Sequence, residues 1–230
     1  GVQTCALPIS LMKWRGQNSH ITMTLVRGNH DLRAGDPEFR YIHHEVIEEA
    51  QHTLMFNMSE QDALRQMNEW GGQPLPISAT SWHDGTLAIR LSGAKAAVDA
   101  AIKKMGGDEM PESEKFWDSL REQSHEFFAD ASKGIWRLSL PTFAAPLALQ
   151  GTQLIEWGGA QRWLKTDADA NTIRAAATAA GGHATLFKGG DKSVGVFHPL
   201  QPAVARIHRN LKNAFDPAGI FNPGRMYPEF

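Results

Sequence analysis

Four groups of residues stand where their types and neighbours could do chemistry. His183 directly follows Gly181-Gly182, so an imidazole able to exchange a proton near neutral pH sits where the chain turns out of a helix. It reads either as a proton acceptor or as a core histidine with its hydrogen bonds satisfied. Arg162 lies between Trp157 and Trp163, just after the turn signal Gly158-Gly159. Its guanidinium fork suits the carboxylate of a small acid, and it suits equally well a structural cation–π stack on either indole. A third group ends the β-rich run 21–26, at Arg27-Gly28-Asn29-His30-Asp31. The fourth is the tail, where Asp216-Pro217-Ala218-Gly219 and Asn222-Pro223-Gly224 read first as a helix stop and two turns. Cys5 is the lone cysteine, so the chain offers neither an internal disulfide nor a thiolate-held metal or iron–sulfur cluster.

The elements that must position these groups are punctuated by local signals. Thr53–Phe56 predicts a strand. Ser59 is an N-cap with Asp62 three residues on, opening a helix that Gly71-Gly72 ends. Runs 77–82 and 86–91 flank His83-Asp84-Gly85, where Asp-Gly supplies the positive φ of a tight hairpin turn. A helix over 94–105 buries Ala97, Val98, Ala101, Ile102 and Met105, and Gly106-Gly107 stops it. Strand, helix, strand, strand, helix is the opening of a ferredoxin-like split unit. One amphipathic helix is expected over 112–128, carrying Phe116, Trp117, Leu120 and Phe127. A strand over 135–140 closes at Pro141, and a Pro/Ala-rich loop follows over 142–151. A second hairpin joins 154–157 to 162–165, a helix spans about 168–180, and a strand spans 183–188. The last helix, about 199–215, presents Leu200, Val204, Ile207, Leu211 and Phe215 on one face. Asp216-Pro217 ends it. The fold class expected is α+β: an antiparallel sheet covered by helices, built of ferredoxin-like units.

Composition narrows the partners. The chain has 23 Lys and Arg against 25 Asp and Glu, a formal net charge of -2, and no basic stripe that would favour nucleic acid. No apolar run reaches the roughly 18 residues of a membrane span. The start lacks the pattern of a secretory signal, so a cytoplasmic setting is expected. The first nine residues, Gly1-Val2-Gln3-Thr4-Cys5-Ala6-Leu7-Pro8-Ile9, match codon for codon the translation of a common sequencing-adapter oligonucleotide and are set aside as an artefact.

Four segments carry a family resemblance. They are Asn68-Glu69-Trp70-Gly71-Gly72-Gln73-Pro74-Leu75-Pro76-Ile77-Ser78, then Glu156-Trp157-Gly158-Gly159-Ala160-Gln161-Arg162-Trp163-Leu164-Lys165. The third is Ala180-Gly181-Gly182-His183-Ala184-Thr185, and the last runs from Phe215-Asp216-Pro217-Ala218-Gly219 through Ile220-Phe221-Asn222-Pro223-Gly224-Arg225-Met226-Tyr227. In order and spacing, residues 53–230 resemble the C-terminal part of the FAD-binding subunits of glycolate oxidases. The resemblance implies a cap domain that closes over the isoalloxazine ring of an FAD held by a separate N-terminal domain. It implies hydride transfer from glycolate, with Asn222 and Arg225 near the flavin edge and His183 and Arg162 as catalytic candidates, and no resident metal. It further implies two companions, a homologous flavin subunit and an iron–sulfur subunit. The metal-binding His/Asn run typical of the catalytic paralogue is not found here, so a supporting or electron-relaying role is expected.

The segment before it differs. Val26-Arg27-Gly28-Asn29-His30-Asp31 with Arg33-Ala34-Gly35-Asp36-Pro37 resembles the Gly-Asn-His-Asp motif of calcineurin-like metallophosphoesterases. There the resemblance would make Asn29 a metal ligand and His30 a proton donor. The other segments of such a two-metal site are missing, and His43-His44 does not have their spacing. The domain organisation expected is thus an artefact over 1–9, a phosphoesterase-like or irregular segment over 10–52, and the oxidase cap over 53–230. A non-catalytic interaction module is the remaining alternative.

Overall fold

The computed structural model describes residues 49–130 and 133–229. The adapter-like start, the 21–26 strand, the Asn29-His30 motif and His43-His44 lie outside the described residues.

The first strand begins four residues before the expected boundary. β1 (Glu49–Asn57) pairs along its whole length with β3 (Thr86–Ala94), from Glu49 opposite Ala94 to Asn57 opposite Thr86. Between them come α1 (Glu60–Gly71) and β2 (Ile77–His83). Ser59 caps α1 as expected, its hydroxyl accepting from the Asp62 amide at 3.2 Å and donating to the Asp62 carboxylate at 2.7 Å. The β2–β3 turn has positive φ at both central residues, 44° at Asp84 and 80° at Gly85, the backbone that fits the right-handed twist of a hairpin. α2 (Lys95–Met105) and the two-residue β4 (Asp108–Glu109) complete the unit. Its spatial order is β4-β1-β3-β2.

The second half repeats that order. It consists of β5 (Gly134–Ser139), β6 (Thr152–Glu156), β7 (Gln161–Thr166), α5 (Ala170–Ala179) and β8 (His183–Lys188), with strands ranked β6-β7-β5-β8. Read from β8, this is fourth, first, third, second strand, as in the first unit. The two ferredoxin-like units join edge to edge where Ser81, Trp82 and His83 of β2 pair with Glu156, Ile155 and Leu154 of β6. All eight strands form one antiparallel sheet.

One difference separates the halves. Where α1 links β1 to β2, the link from β5 to β6 is the 140–151 loop, with Leu147 and Leu149 packed on the core beneath α5. Arg162 fastens it. Its side chain is 1% exposed, and its guanidinium donates to the carbonyls of Gly159 (3.1 Å), Ala145 (2.8 Å) and Ala144. Burial pushes this guanidinium below its ordinary pKa, and the nearby Glu60 carboxylate opposes that. α1 then seats on the β6–β7 turn. A Cβ on Gly159 (φ 97°) would lie 2.8 Å from Leu64 Cδ2 and 2.9 Å from the Thr142 carbonyl oxygen.

Between the units, the single helix expected over 112–128 is two: α3 (Ser113–Arg121) and α4 (Glu126–Ala129). Gln123 takes a positive φ of 56°, and the amides of Ser124 and His125 both turn back to the Ser119 carbonyl. The break lets Phe127 and Phe128 enter the core beside Trp117, Leu120 and Trp163. The last helix, α6 (Pro202–Phe215), starts three residues later than expected, at a Pro in its first turn, and leaves Leu200 outside it.

Gly159→Ala should cost about 2–4 kcal/mol in urea unfolding of the chain, from left-handed strain and overpacking together. Arg162→Ala should cost about 3–5 kcal/mol, because three carbonyls lose their donor and the partly buried Glu60 loses its counter-charge. A loss under 1 kcal/mol for the arginine would show that the loop is held by its leucines alone.

Candidate functional site

The sheet has two unequal faces. Leu87, Ile89, Ile155 and Leu164 point to the face covered by α1, α2, the 140–151 loop and α5. Ala88, Ile135, Leu154 and Trp163 point to the other, which α3 and α4 cover only in part. Alternation along a strand therefore sends Arg137, Ser139, Gln161 and His183 to that second face. Arg137, Ser139 and His183 are exposed there.

Pairing registers set these residues in rows. His183 lies opposite Ser139, Ser139 opposite Gln161, Gln161 opposite Glu156, and Glu156 opposite Ser81. One step along, Thr185 lies opposite Arg137 and Arg137 opposite Trp163. Glu156 is already engaged: one of its oxygens accepts from Trp163 Nε1 at 2.6 Å and from Gln161 Nε2 at 3.2 Å. The row ends at Ser81, 1% exposed, whose hydroxyl has no hydrogen-bond partner among the described residues. Phe187, 40% exposed, sits edge-on to Trp163 with centroids 4.9 Å apart. The result is an open polar face on rigid strands with aromatic edges.

The expected residues divide. His183 is on this face. Arg162 is not: it is one position out of step with Gln161 and Trp163, so it points to the covered face, where its fork is spent on backbone carbonyls. It makes neither a surface carboxylate clamp nor a stack on an indole. Sequence reasoning passed over Arg137, and the signal available was parity, since Arg137 alternates with the buried Trp136 and Leu138.

The tail adjoins the open face through histidines. The His183 and His198 rings lie 6.4 Å apart. His198 Nδ1 accepts from the Ala184 amide at 3.3 Å, and the His198 carbonyl accepts from the Tyr227 hydroxyl at 3.0 Å. Burial, followed by the charges of His183 and Arg174, holds the His198 imidazole below its ordinary pKa. Arg174 shapes the preceding loop, donating to the carbonyls of Val194 (2.9 Å), Gly195 (2.6 Å) and Phe197 (3.3 Å). Asp216, 7% exposed, accepts from the amides of Ile220 (3.1 Å) and Phe221 (2.9 Å) and from Lys212 Nζ (2.5 Å). Asn222 has a φ of 47°, and its carbonyl accepts from the Arg225 amide at 3.2 Å. Both side chains are exposed. The apolar stripe of α6 faces outward: Val204 is 40% exposed, Ile207 55%, Leu211 52% and Phe215 83%.

A cleft opens where the units part. Beyond Ser81, β2 no longer pairs with β6, and the fork is stitched by a 2.7 Å hydrogen bond from the Gly158 amide to Thr80 Oγ1. The space there is about 790 Å³, lined among others by Trp70, Arg90, Trp117, Trp157, Gln161 and Trp163. Arg90 Nε donates to Ser78 Oγ at 2.9 Å, and its guanidinium lies 5.3 Å from the Trp117 ring centroid. Trp157 stands at this cleft with a φ of 54° and 69% exposure. Among the described residues, no helix is long and apolar enough to cross a membrane, and no three His, Cys, Asp or Glu side chains gather to hold a metal.

Residues 196–226, which hold the tail and α6, match the family of FAD linked oxidases, C-terminal domain. Over 177 residues, 77% of this chain, the sequence is 47% identical to glycolate oxidase subunit GlcE of Escherichia coli (strain K12). That alignment spans 49% of the relative, so the chain covers about half its length. No solved structure matches. The chain is therefore similar over 77% of its length to a glycolate oxidase subunit, and its residues 196–226 match the C-terminal domain of FAD linked oxidases.

Proposed function

We propose that residues 49–229 are the lid of an FAD-dependent oxidoreductase subunit of the glycolate oxidase type, and that, in place of the supporting role expected from the sequence, its open polar face meets the small 2-hydroxy acid itself. The observation that carries this is the outward apolar stripe of α6 within the matched segment, next to the open polar sheet face. An amphipathic helix gains little by displaying its apolar side to water, so a second surface is needed to cover it. A flavin-holding domain fits that need. The described residues fit the flavin as a cover rather than as a cradle: no helix among them opens on a glycine-rich loop of the kind that binds a pyrophosphate.

When bound, flavin supplies the acceptor for the hydride of the substrate α-carbon. This chain's residues serve the rest. His183, exposed beside Ser139, takes the proton of the α-hydroxyl. Asn222 and Arg225, held by the Asp216 turn, approach the ring edge from the tail. A homologous flavin subunit and an iron–sulfur subunit would carry the electrons onward.

The test compares this 230-residue chain with a complete subunit that includes its flavin domain. The complete subunit should purify with one FAD, and Ile207→Asp with Leu211→Asp should reduce flavin retention at least tenfold. Stoichiometric FAD in the 230-residue chain would overturn the lid reading.

The His198 shift adds a pH dependence. Its pKa is lower folded than unfolded, so its share of stability is full above about 6.5 and is lost as pH falls through the folded value. His125 is shifted the same way, mainly by burial. The melting temperature should therefore fall from pH 7 to pH 5, and His198→Asn should flatten part of that slope. An identical slope in the variant would assign the effect to His125 and other groups.

A further inference from the structure

We propose that Arg137 on β5 anchors the carboxylate of the substrate, with Ser139 and the carbonyl oxygen of Gln161 receiving its 2-hydroxyl. This rests on the lid reading above and specifies which side chains of the open face meet the substrate.

Among the described residues three arginines stand on strands, and two are committed. Arg162 is bound to three carbonyls on the covered face, and Arg90 is bonded to Ser78 and laid over Trp117. Arg137 is exposed, and no described residue pairs with its guanidinium. It stands on β5, which is paired on both sides, between β7 and β8. Its backbone is thus fixed while its fork is free, the condition in which a guanidinium binds a planar carboxylate through two parallel hydrogen bonds.

The neighbours complete a small site. Across strands, directly paired residues stand about 5 Å apart, and same-face neighbours along a strand about 7 Å. Ser139 is the next same-face position on β5, Gln161 pairs with Ser139 from one side, and His183 pairs with it from the other. Gln161 gives its amide nitrogen to Glu156, which leaves its carbonyl oxygen to accept a hydroxyl proton. Glu156 is itself held by Trp163 and Gln161, so its charge is partly met before an anion arrives. Trp163 and Phe187 close one side with apolar surface. A two-carbon acid with adjacent carboxylate and hydroxyl matches this spacing. Lys165 and Lys188 stand at the other end, over the Phe127 ring and on the Phe128 carbonyl, so Arg137 is the cation beside the short polar neighbours.

The experiment uses the complete flavin-bearing subunit and measures oxalate binding by calorimetry, since oxalate offers the carboxylate and no hydride. Arg137→Gln should weaken oxalate about 100-fold, as expected for losing a bidentate charged pair, with flavin content unchanged. Arg137→Lys should recover part of the affinity. The glycolate concentration for half-maximal flavin reduction should rise in parallel with the oxalate constant, while the limiting rate changes far less. Unchanged oxalate affinity in Arg137→Gln would overturn the assignment. Loss of flavin rather than of oxalate binding would also overturn it, by making Arg137 a cofactor contact. Failure of the wild-type subunit to bind oxalate while retaining flavin would sink the substrate site alone. A complete subunit that holds no flavin would remove the lid reading and this inference with it.

Discussion

The guanidinium of Arg162 takes the place of a helix. The two halves share one strand order, yet only the first carries a helix between its first two strands; the second has a loop there. A loop laid over a sheet brings backbone carbonyls into a dry interior, where each needs a donor. One side chain with a rigid fork meets two of them, at Ala144 and Ala145, and through the Gly159 carbonyl ties the loop to the β6–β7 turn in the same step. Burying that charge is costly, and Glu60 offsets part of the cost from α1 of the other unit. With the turn fixed, Glu156 and Gln161 keep their places on the open face, and α1 finds a flat seat on Gly159.

What was legible in the sequence was what local chemistry determines. Ser59 with Asp62, Asp84-Gly85, and the double glycines after helices each act within a few residues, and the structure follows them. The order of elements was enough to expect ferredoxin-like units, and both units are present. What was not legible depended on distant partners. Arg162 read as a carboxylate clamp or an indole stack because nothing nearby announces that the 140–151 loop will lay its carbonyls on it. Arg137 looked ordinary because its distinction is the lack of a partner on a strand whose neighbours come from far along the chain. The break at Gln123 has no Gly or Pro to mark it. In α6 the spacing gave the apolar face, but periodicity cannot say whether a covering surface is at hand.

The contrast between the faces of the sheet follows from this division. On the covered side, helices and loop bury a continuous aliphatic layer that fixes the strands. On the other, α3 and α4 cover the seam and the end of β5, β7 and β8 marked by Ile135, Trp163 and Lys188, and leave the end at Arg137, Ser139 and His183 open. Strands held firmly from beneath can present small polar side chains above with little loss of order, which is the arrangement a binding site requires. The tail meets that surface at the contact of His183 with His198, so the segment matched to FAD linked oxidases and the open strands form one continuous region.

Trp157 holds a backbone conformation that large side chains avoid, at the mouth of the cleft between the units, with its ring largely in water. Trp117, Trp136 and Trp163 are packed inside. Trp157 is therefore a natural optical reporter: its emission shifts to shorter wavelength when anything dries the cleft, and Trp70, Trp117 and Trp163 of the same lining add to the change.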